Sequence, residues 1–244
     1  MRVVRSHLER DALTPGRWDA LANRLRANKG GLGDLGGGNH FLDALEPYDD
    51  GPLHFLIHTG SRLESGLVDD LVDTPEQFDR EFARIVQWAA DNRAQVHEEI
   101  EAVFGPTELM LDLPHNTYET VNGGGAIIRK GAVHLQPGEM TVIPSHMSGD
   151  VVLVRGTGNL RETLQSMSHG TGRTMPRGEA KVPAEAFDFD ALRQRIMIPT
   201  GVENSSLRTD GPYAYRDLDA CLALIDGYVT EEKRFAVVAY MGHL

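Results

Sequence analysis

The sequence predicts an α+β fold in which layered, mixed β-sheets are flanked by helices. Short apolar runs typical of strands outnumber the segments with helical periodicity. Strands and helices also do not alternate regularly along the chain, which disfavours a doubly wound parallel sheet. The length of 244 residues allows a sizeable core. A hydrophobic share of 41% and a charged share of 25% are ordinary for a globular protein.

Apolar runs at six places predict strands. They are Leu53–Ile57, Leu109–Leu113, Ala126–Ile128, Met140–Ile143, Val151–Val154 and Phe235–Tyr240. The clearest helix extends from Pro75 to Val103, because apolar residues recur there at helical spacing. Thr74 and Gln77 form a capping box at its start, and Gly105-Pro106 ends it.

Asp217 to Tyr228 is predicted to form a second, amphipathic helix. Cys221 lies on its apolar side, and we expect it to be buried. As the only cysteine, it excludes an internal disulfide and a metal site built from several cysteines. The sequence has no apolar run of about 18 residues and no secretory signal, so we expect a cytoplasmic protein.

The net charge of −12 argues against a nucleic-acid partner, but the charge is unevenly distributed. Residues 64–120 contain 14 acids and 3 bases, which we interpret as a solvated helix face. Residues 1–29 contain 7 bases and 3 acids, and residues 128–182 contain 7 bases and 4 acids. A polyanion could therefore meet a locally basic surface, so the charge neither requires nor excludes RNA.

Four of the ten histidines lie beside predicted strands or glycines. His58 comes at the end of the first predicted strand, and His115 follows the second. His40 follows the glycine tract Gly30–Gly38, after Asn39, and His169 lies between a serine and a glycine. Loops that rigid strands hold in place commonly carry function, and imidazole is a frequent metal ligand and general base. The alternative is that each is an ordinary surface or hydrogen-bonded histidine. We expect surface or packing roles for the others, which are His7, His54, His97, His134, His146 and His243.

The glycine tract contains Gly31, Gly33 and Gly36 in a literal GxGxxG pattern. A dinucleotide site needs a strand before this pattern and a helix after it, whereas the preceding residues 26–29 are mostly polar. We therefore interpret the match as chance. The sequence also lacks a P-loop and a GxSxG nucleophile elbow, so a nucleotide would need a different kind of site.

Seven short motifs, taken together, resemble those of the RtcB family of GTP-dependent RNA ligases. They are Gly33–Asp43 (the glycine-rich asparagine–histidine motif), His58–Arg62 (HSGSR), His115-Asn116 (HN), Arg129–Ala132 (RKGA), Pro137–Met140 (PGSM), Ser168–Arg173 (SHGAGR) and Ala214–Asp217 (AYKD). Each is weak alone, but all seven occur in the family's order. The resemblance implies an RtcB-like fold in which residues 1–244 form a single catalytic domain without the N-terminal part of the family fold.

The resemblance also implies an activity. The family joins an RNA 3′-phosphate, or a 2′,3′-cyclic phosphate, to a 5′-hydroxyl through a histidine–GMP intermediate, and it uses GTP and manganese. The implied RNA partners are tRNA halves or broken RNA ends, in tRNA splicing or RNA repair. Two protein partners are implied as candidates, the activating protein archease and a complete ligase subunit.

The family's functional residues carry over to the matching positions. His169 would attack the α-phosphate of GTP and hold GMP as a phosphoramidate, because neutral imidazole is a competent nucleophile. His40, His58 and His115 would ligate the metal. The nucleotide and its phosphates would contact Asn39, Arg62, Gly170, Thr171, Gly172 and Tyr215. Arg129, like Arg62, can offer bidentate contacts to phosphate oxygens.

The sequence departs from the family's pattern at several positions. The upstream metal motif Asp-x-Gly-Cys-Gly has no counterpart in these residues. Glu139 replaces the serine of PGSM, Asp43 a glutamate, and Arg216 the lysine of AYKD. A terminal lysine that contacts the nucleotide would align near Met241. Two alternatives therefore stay open: a relative that binds metal and nucleotide without joining RNA, and a metal-dependent phosphoesterase in which the histidines activate water.

Overall fold

The computed structural model describes residues 1–60, 75–121 and 124–244. Its strands are β1 (Arg2–Ser6), β2 (Phe41–Pro47), β3 (His54–His58), β4 (Thr107–Asp112), β5 (Asn116–Val121), β6 (Gly125–Lys130), β7 (Ala132–His134), β8 (Met140–Pro144), β9 (Asp150–Gly156), β10 (Ser166–Ser168) and β11 (Val229–Met241). Its α-helices are α1 (Pro15–Ala27), α2 (Pro75–Phe104), α3 (Arg177–Ala180), α4 (Phe189–Arg195), α5 (Asn204–Leu207) and α6 (Leu218–Leu224).

Seven strands form one large sheet in the order β4-β1-β3-β2-β11-β9-β8. Each pair of neighbouring strands in this sheet is antiparallel. Two further antiparallel pairs, β7–β10 and β5–β6, stand beside it. A large antiparallel sheet flanked by helices confirms the predicted α+β class.

Both faces of the large sheet are buried, because neighbouring residues of a strand point to opposite sides. Leu42 and Ala44 of β2 face the helical side, where α1 and α2 pack. Leu45 of β2 faces the opposite side, where the second core includes residues from β7 to α5. Phe41 and Asp43 share the face of Leu45 by the same alternation. This second side of the sheet carries the candidate site.

The local sequence explains why α1 forms and why α2 ends where it does. Thr14 caps α1, since its hydroxyl accepts a hydrogen bond from the Arg17 backbone N–H. The buried face of α1 contains Trp18, Leu21, Ala22 and Leu25 at helical spacing. Gly105 ends α2 with a φ of +83°, a conformation that glycine adopts without strain. No helix within the described ranges is both long enough and apolar enough to cross a membrane.

The six predicted strands and the helix beginning at Pro75 are confirmed, with ends shifted by a few residues. The Thr74 half of the capping box lies outside the described residues. The predicted helix 217–228 ends earlier, at Leu224, because the chain turns at Gly227 with a φ of +83°. Cys221 is half-buried rather than buried.

Candidate active site

Three histidines from three separate segments of the chain meet on the second side of the sheet. His58 is the last residue of β3, His115 lies between β4 and β5, and His169 directly follows β10. One ligating nitrogen from each of the three lies within 4.8 Å of the others. The fold thus brings together residues from distant parts of the chain.

His58 and His115 are spaced like two ligands of one metal ion. Their Nε2 atoms are 3.4 Å apart, and their rings are tilted by 74°. Two nitrogens that each lie about 2.1 Å from a tetrahedral ion are about 3.4 Å apart. Burial lowers the pKa of His58 well below its usual range and the pKa of His115 to about 3, so both are neutral and able to ligate.

The surroundings of His58 and His115 add little further support for metal binding. The Nδ1 atoms of His58 and His115 are buried and have no hydrogen-bond partner among the described residues. Histidines that ligate a metal usually donate their other N–H to an acceptor, which fixes the ring and raises its basicity. The residues present therefore fit a metal by spacing and charge, and they would hold it without that second layer of hydrogen bonds.

His169 is oriented by the backbone. Its Nδ1 is 2.6 Å from the carbonyl oxygen of Gly131. A carbonyl oxygen only accepts, so Nδ1 carries the proton and Nε2 keeps its lone pair. Asn116 accepts a hydrogen bond from the Gly131 backbone N–H at 3.1 Å, which links the loop of His115 to the same glycine. Burial lowers the pKa of His169, and the imidazole is neutral at pH 7.

The ring geometry distinguishes His169 from the pair formed by His58 and His115. His169 stacks on His115 with an interplanar angle of 6° and a centroid distance of 4.6 Å. The lone pairs of stacked rings lie in two separate, parallel planes, so they do not meet at one ion. Although three nitrogens are close together, this geometry favours His58 and His115 as the ligands of one ion, with His169 beside them.

His40 and Asn39 precede β2 at the edge of this cluster. The ring centroids of His40 and His58 are 6.1 Å apart, and His40 is not in the group whose ligating atoms lie within 4.8 Å. Gly36 allows the close approach of His40, since a Cβ there would lie 2.6 Å from its Nδ1.

A cavity of about 320 Å³ opens beside the histidines, in the range of small-ligand pockets. It is lined by several residues that the sequence predicted, which are Asn39, His58, His169, Gly170, Thr171, Gly172 and Tyr215. Its apolar walls come from Phe41, Pro144, Met147 and Tyr240. The Thr171 backbone N–H donates to the Pro144 carbonyl at 3.1 Å, which fixes the loop that follows His169 against the end of β8.

Asp210 organises the far end of the cavity. Its carboxylate accepts hydrogen bonds from Tyr215 Oη at 3.0 Å, from Arg173 Nη1 at 3.0 Å and from Thr209 Oγ1 at 2.7 Å. His243 Nε2 lies 2.8 Å from the second carboxylate oxygen. Asp210 is 4% exposed, so this network fixes Tyr215 without water competing for its partners.

Several polar atoms of residues that line the cavity lack a partner among the described residues. They are Asp43 Oδ1, Thr171 Oγ1, and Nε and Nη2 of Arg177. Burial raises the pKa of Asp43 well above its usual range. Buried polar groups are nearly always hydrogen-bonded, so these atoms point to a ligand with complementary donors and acceptors.

The sequence motif assigned as PGSM lies at the wrong end of β8. Pro137–Met140 leads into the start of β8, and Glu139 bonds only locally, to the Gln136 backbone. The segment Pro144–Met147 has the same proline and methionine spacing, and all four of its residues line the cavity. The structure therefore favours Pro144–Met147 as the counterpart of that motif, with His146 in the place of its serine.

Other predicted contacts are placed differently or not described. Arg62 lies outside the described residues. Arg129 is 3% exposed and binds Glu119, Ser166 and the Leu164 carbonyl, so it is not available for the phosphate contact that we expected. His146, which we expected at the surface or in packing, lines the cavity.

Asp210 and Arg177 were not identified from the sequence. Asp210 lies 37 positions from Arg173 in the sequence. Neither Asp210 nor Arg177 falls in any of the seven motifs that resemble those of the RtcB family. The only sequence signal for Arg177 is its position four residues after the SHGAGR-like motif.

Comparisons with known proteins agree with the motifs. The family model described as tRNA-splicing ligase RtcB matches residues 74–239. The RNA-splicing ligase RtcB2 of Escherichia coli (strain ATCC 25922) is 30% identical over 237 residues, covering 79% of this chain and 60% of that protein. The RNA-splicing ligase RtcB of Escherichia coli (strain K12) is 27% identical over 238 residues, covering 79% and 56%.

An archaeal relative gives a similar result. The tRNA-splicing ligase RtcB of Thermococcus kodakarensis is 26% identical over 272 residues, covering 80% of this chain and 55% of that protein. The chain therefore spans between 55% and 60% of the length of these three relatives.

Proposed function

The chain belongs to the RtcB family, and from this membership we propose that it is a GTP-dependent RNA ligase with His169 as its guanylate acceptor. The proposed reaction joins an RNA 3′-phosphate or 2′,3′-cyclic phosphate to a 5′-hydroxyl. Because the chain covers less than two thirds of these relatives, the complete activity, its RNA substrates and its protein partners are all part of the proposal.

The observation that carries this proposal is the orientation of His169. The Nδ1–H group donates to the Gly131 carbonyl, so the lone pair of Nε2 is available. The same ring lines the cavity and stacks on His115. A neutral, oriented imidazole beside the His58–His115 pair and a cavity in the size range of small-ligand pockets supports a role for His169 as a nucleophile.

The first step follows from this arrangement. The Nε2 lone pair of His169 forms an N–P bond to the α-phosphorus of GTP, and the P–O bond to the β-phosphate breaks. Pyrophosphate leaves with that electron pair. Nε2 carries no proton, so no base is needed, and the Gly131 carbonyl stabilises the positive charge that develops on the ring.

Two histidines would hold the metal. His58 and His115 fit one ion by their 3.4 Å spacing, and the family resemblance adds His40. When bound, manganese would neutralise charge on the phosphates and polarise the phosphoryl oxygens. The glycines on either side of Thr171 let the backbone approach the guanylate closely.

The cavity chemistry supports a guanine nucleotide. The Asp43 carboxyl oxygen without a partner can accept a hydrogen bond from the N1–H or N2–H groups of guanine. Tyr215 and Tyr240 provide aromatic surface for the base. Asn39, at the end nearest the histidines, offers an amide to the phosphates.

Covalent guanylylation tests the proposal. Purified protein would be incubated with manganese and α-labelled GTP, ATP, CTP or UTP, beside the His169→Ala variant and a His134→Ala control. His134 bonds Gln165 and does not line the cavity, so its loss should not affect labelling. We expect an acid-labile label from GTP on the wild type and on the control, and none on His169→Ala.

The same preparation would then receive RNA fragments with 3′-phosphate and 5′-hydroxyl ends. Joined RNA would support the full ligase reaction. A guanylate label without joining would support instead the relative that binds nucleotide but does not join RNA. Release of phosphate from the RNA end without any label would support the metal-dependent phosphoesterase.

A further inference from the structure

We propose that Arg177 is a specificity-determining residue of the nucleotide site and that it reads the O6–N7 edge of guanine. This inference rests on the proposed function, since it assigns a contact to the same nucleotide. It concerns the part of the cavity that Asp210, Tyr215 and Arg177 line.

The guanidinium of Arg177 has one donor edge without a partner. Its Nε and Nη2 atoms are buried and make no hydrogen bond to any described residue. Nη2 lies 3.7 Å from Asp210 Oδ1, which is an ion pair beyond hydrogen-bond distance. In a planar guanidinium, Nε–H and Nη2–H are parallel and point to the same side. Arg177 therefore presents two adjacent donors at the cavity wall.

Two parallel donors require two acceptors side by side. Guanine offers O6 and N7 in this arrangement, and bidentate contact with arginine is the commonest specific readout of this base. Adenine presents N7 beside the N6 amino group, which is a donor and would face an arginine donor. The same edge of Arg177 would therefore accept guanine and reject adenine.

A phosphate could also accept both donors, but the surroundings favour a base. The Asp210 carboxylate lies 3.7 Å from Nη2 and would repel a phosphate, whereas it leaves a neutral base unaffected. Tyr215, Tyr240 and Met147 line the same cavity and suit a flat ring more than an anion.

Asp210 also keeps Arg177 oriented. It already binds Arg173, Tyr215 and His243, so its position does not depend on Arg177. Its charge then holds the Arg177 guanidinium at the cavity wall through the longer 3.7 Å contact. Loss of Arg177 should consequently remove a ligand contact without dismantling the network.

Arg177 can provide the cationic contact that Met241 cannot. Met241 is fully buried, and it faces the helical side of the sheet in the core that includes α1 and α2. It is not one of the described residues that line the cavity. The positive charge at this end of the cavity comes instead from Arg177 and Arg173.

Equilibrium binding tests this inference without relying on catalysis. Titration calorimetry would compare GTP, 7-deaza-GTP and ATP for the wild type and for Arg177→Met and Arg177→Lys. The His169→Ala substitution would be present in all proteins to prevent turnover. Arg155→Met is the matched control, because Arg155 has a similar exposed side-chain fraction, 41% against 39%, and binds Glu232 away from the cavity. Circular dichroism would verify folding.

We expect Arg177 to control discrimination at N7. The parent protein should bind GTP about tenfold more tightly than 7-deaza-GTP, which lacks the N7 acceptor. Arg177→Met should bind both nucleotides equally and weakly, and Arg155→Met should behave like the parent. Arg177→Lys keeps the charge but not the two parallel donors, so it should also lose the discrimination.

The remaining outcomes decide separately on this inference and on the proposed function. If Arg177→Met weakens GTP and 7-deaza-GTP by the same factor, Arg177 contacts a phosphate instead. If it changes neither affinity, Arg177 makes no nucleotide contact. Arg177-dependent discrimination in a protein whose wild type forms no guanylate would support this inference and reject the proposed function. A parent protein that binds no GTP would reject both.

Discussion

Gly131 allows a direct test of how His169 is positioned. Its carbonyl accepts the Nδ1–H of His169, and its φ of +68° is one that residues with a side chain rarely adopt. An alanine Cβ at this position would lie 3.1 Å from Cε1 and 3.4 Å from Nδ1 of His169. Gly131→Ala should therefore strain the backbone and also displace the imidazole.

Gly138 separates these two effects. It has a φ of +88°, and an alanine Cβ there would meet nothing within 4 Å. The strain of a left-handed alanine, about 1–2 kcal/mol, should be similar at both positions. Only at Gly131 must the nucleophile shift, by a few tenths of an ångström. A displacement of about 1 Å can cost a hundredfold in rate, so we expect roughly a tenfold loss.

The two variants would be compared by urea unfolding and by the initial rate of guanylylation at saturating GTP. We predict similar losses of unfolding free energy in Gly131→Ala and Gly138→Ala, with the rate reduced only in Gly131→Ala. Equal rates in the two variants would refute the argument that the Gly131 carbonyl orients His169.

Three further predictions concern the metal, a buried carboxyl and a buried arginine. His58→Ala should weaken metal binding by about a hundredfold in calorimetry, while a His97→Ala control should not; equal affinities would contradict the assignment. Burial raises the pKa of the Asp43 carboxyl in the folded protein above its value in the unfolded chain. The folded state therefore has its full stability below the pKa of the unfolded chain, where the carboxyl is protonated in both states. That stability is lost as the pH rises through the pKa of the folded state. Asp43→Asn should therefore be more stable than wild type in urea at neutral pH, with the gain shrinking below about pH 4. Arg129→Ala should lower the free energy of unfolding by about 2–4 kcal/mol, because Arg129 holds β5, β6 and β10 together; an unchanged stability would refute this.

The histidines at the ends of strands were the part of the site that the sequence predicted best. His58 and His115 lie at the ends of short apolar runs, and those runs form strands of the large sheet, of which β3 is fully buried and β4 only in part. Both strands run antiparallel to β1, which lies between them, so their carboxyl ends lie at the same edge of the sheet, and His58 and His115 meet there. The segments β2 and β5 were missed, since Asp43, Glu46 and Pro47 interrupt the first and polar residues dominate the second.

The far end of the cavity could not be predicted from local pattern. Asp210 and Arg177 lie in short helical turns and loops whose conformation depends on packing rather than on periodicity. The PGSM assignment missed the cavity for a related reason, because two proline–methionine pairs flank β8 and only the fold shows which one contacts the loop after His169. Arg129 was misjudged because its burial and its partners are tertiary.

Identifying the atom that carries the guanylate would test whether Nε2 of His169 is the guanylate acceptor. Protein containing ¹⁵N-labelled histidine would be incubated with GTP and manganese, and the N–P linkage identified by ³¹P and ¹⁵N magnetic resonance with peptide mapping. We expect a single phosphoramidate on Nε2 of His169, because the Nδ1–H group donates to the Gly131 carbonyl. A linkage through Nδ1, or a guanylate on another residue, would contradict it.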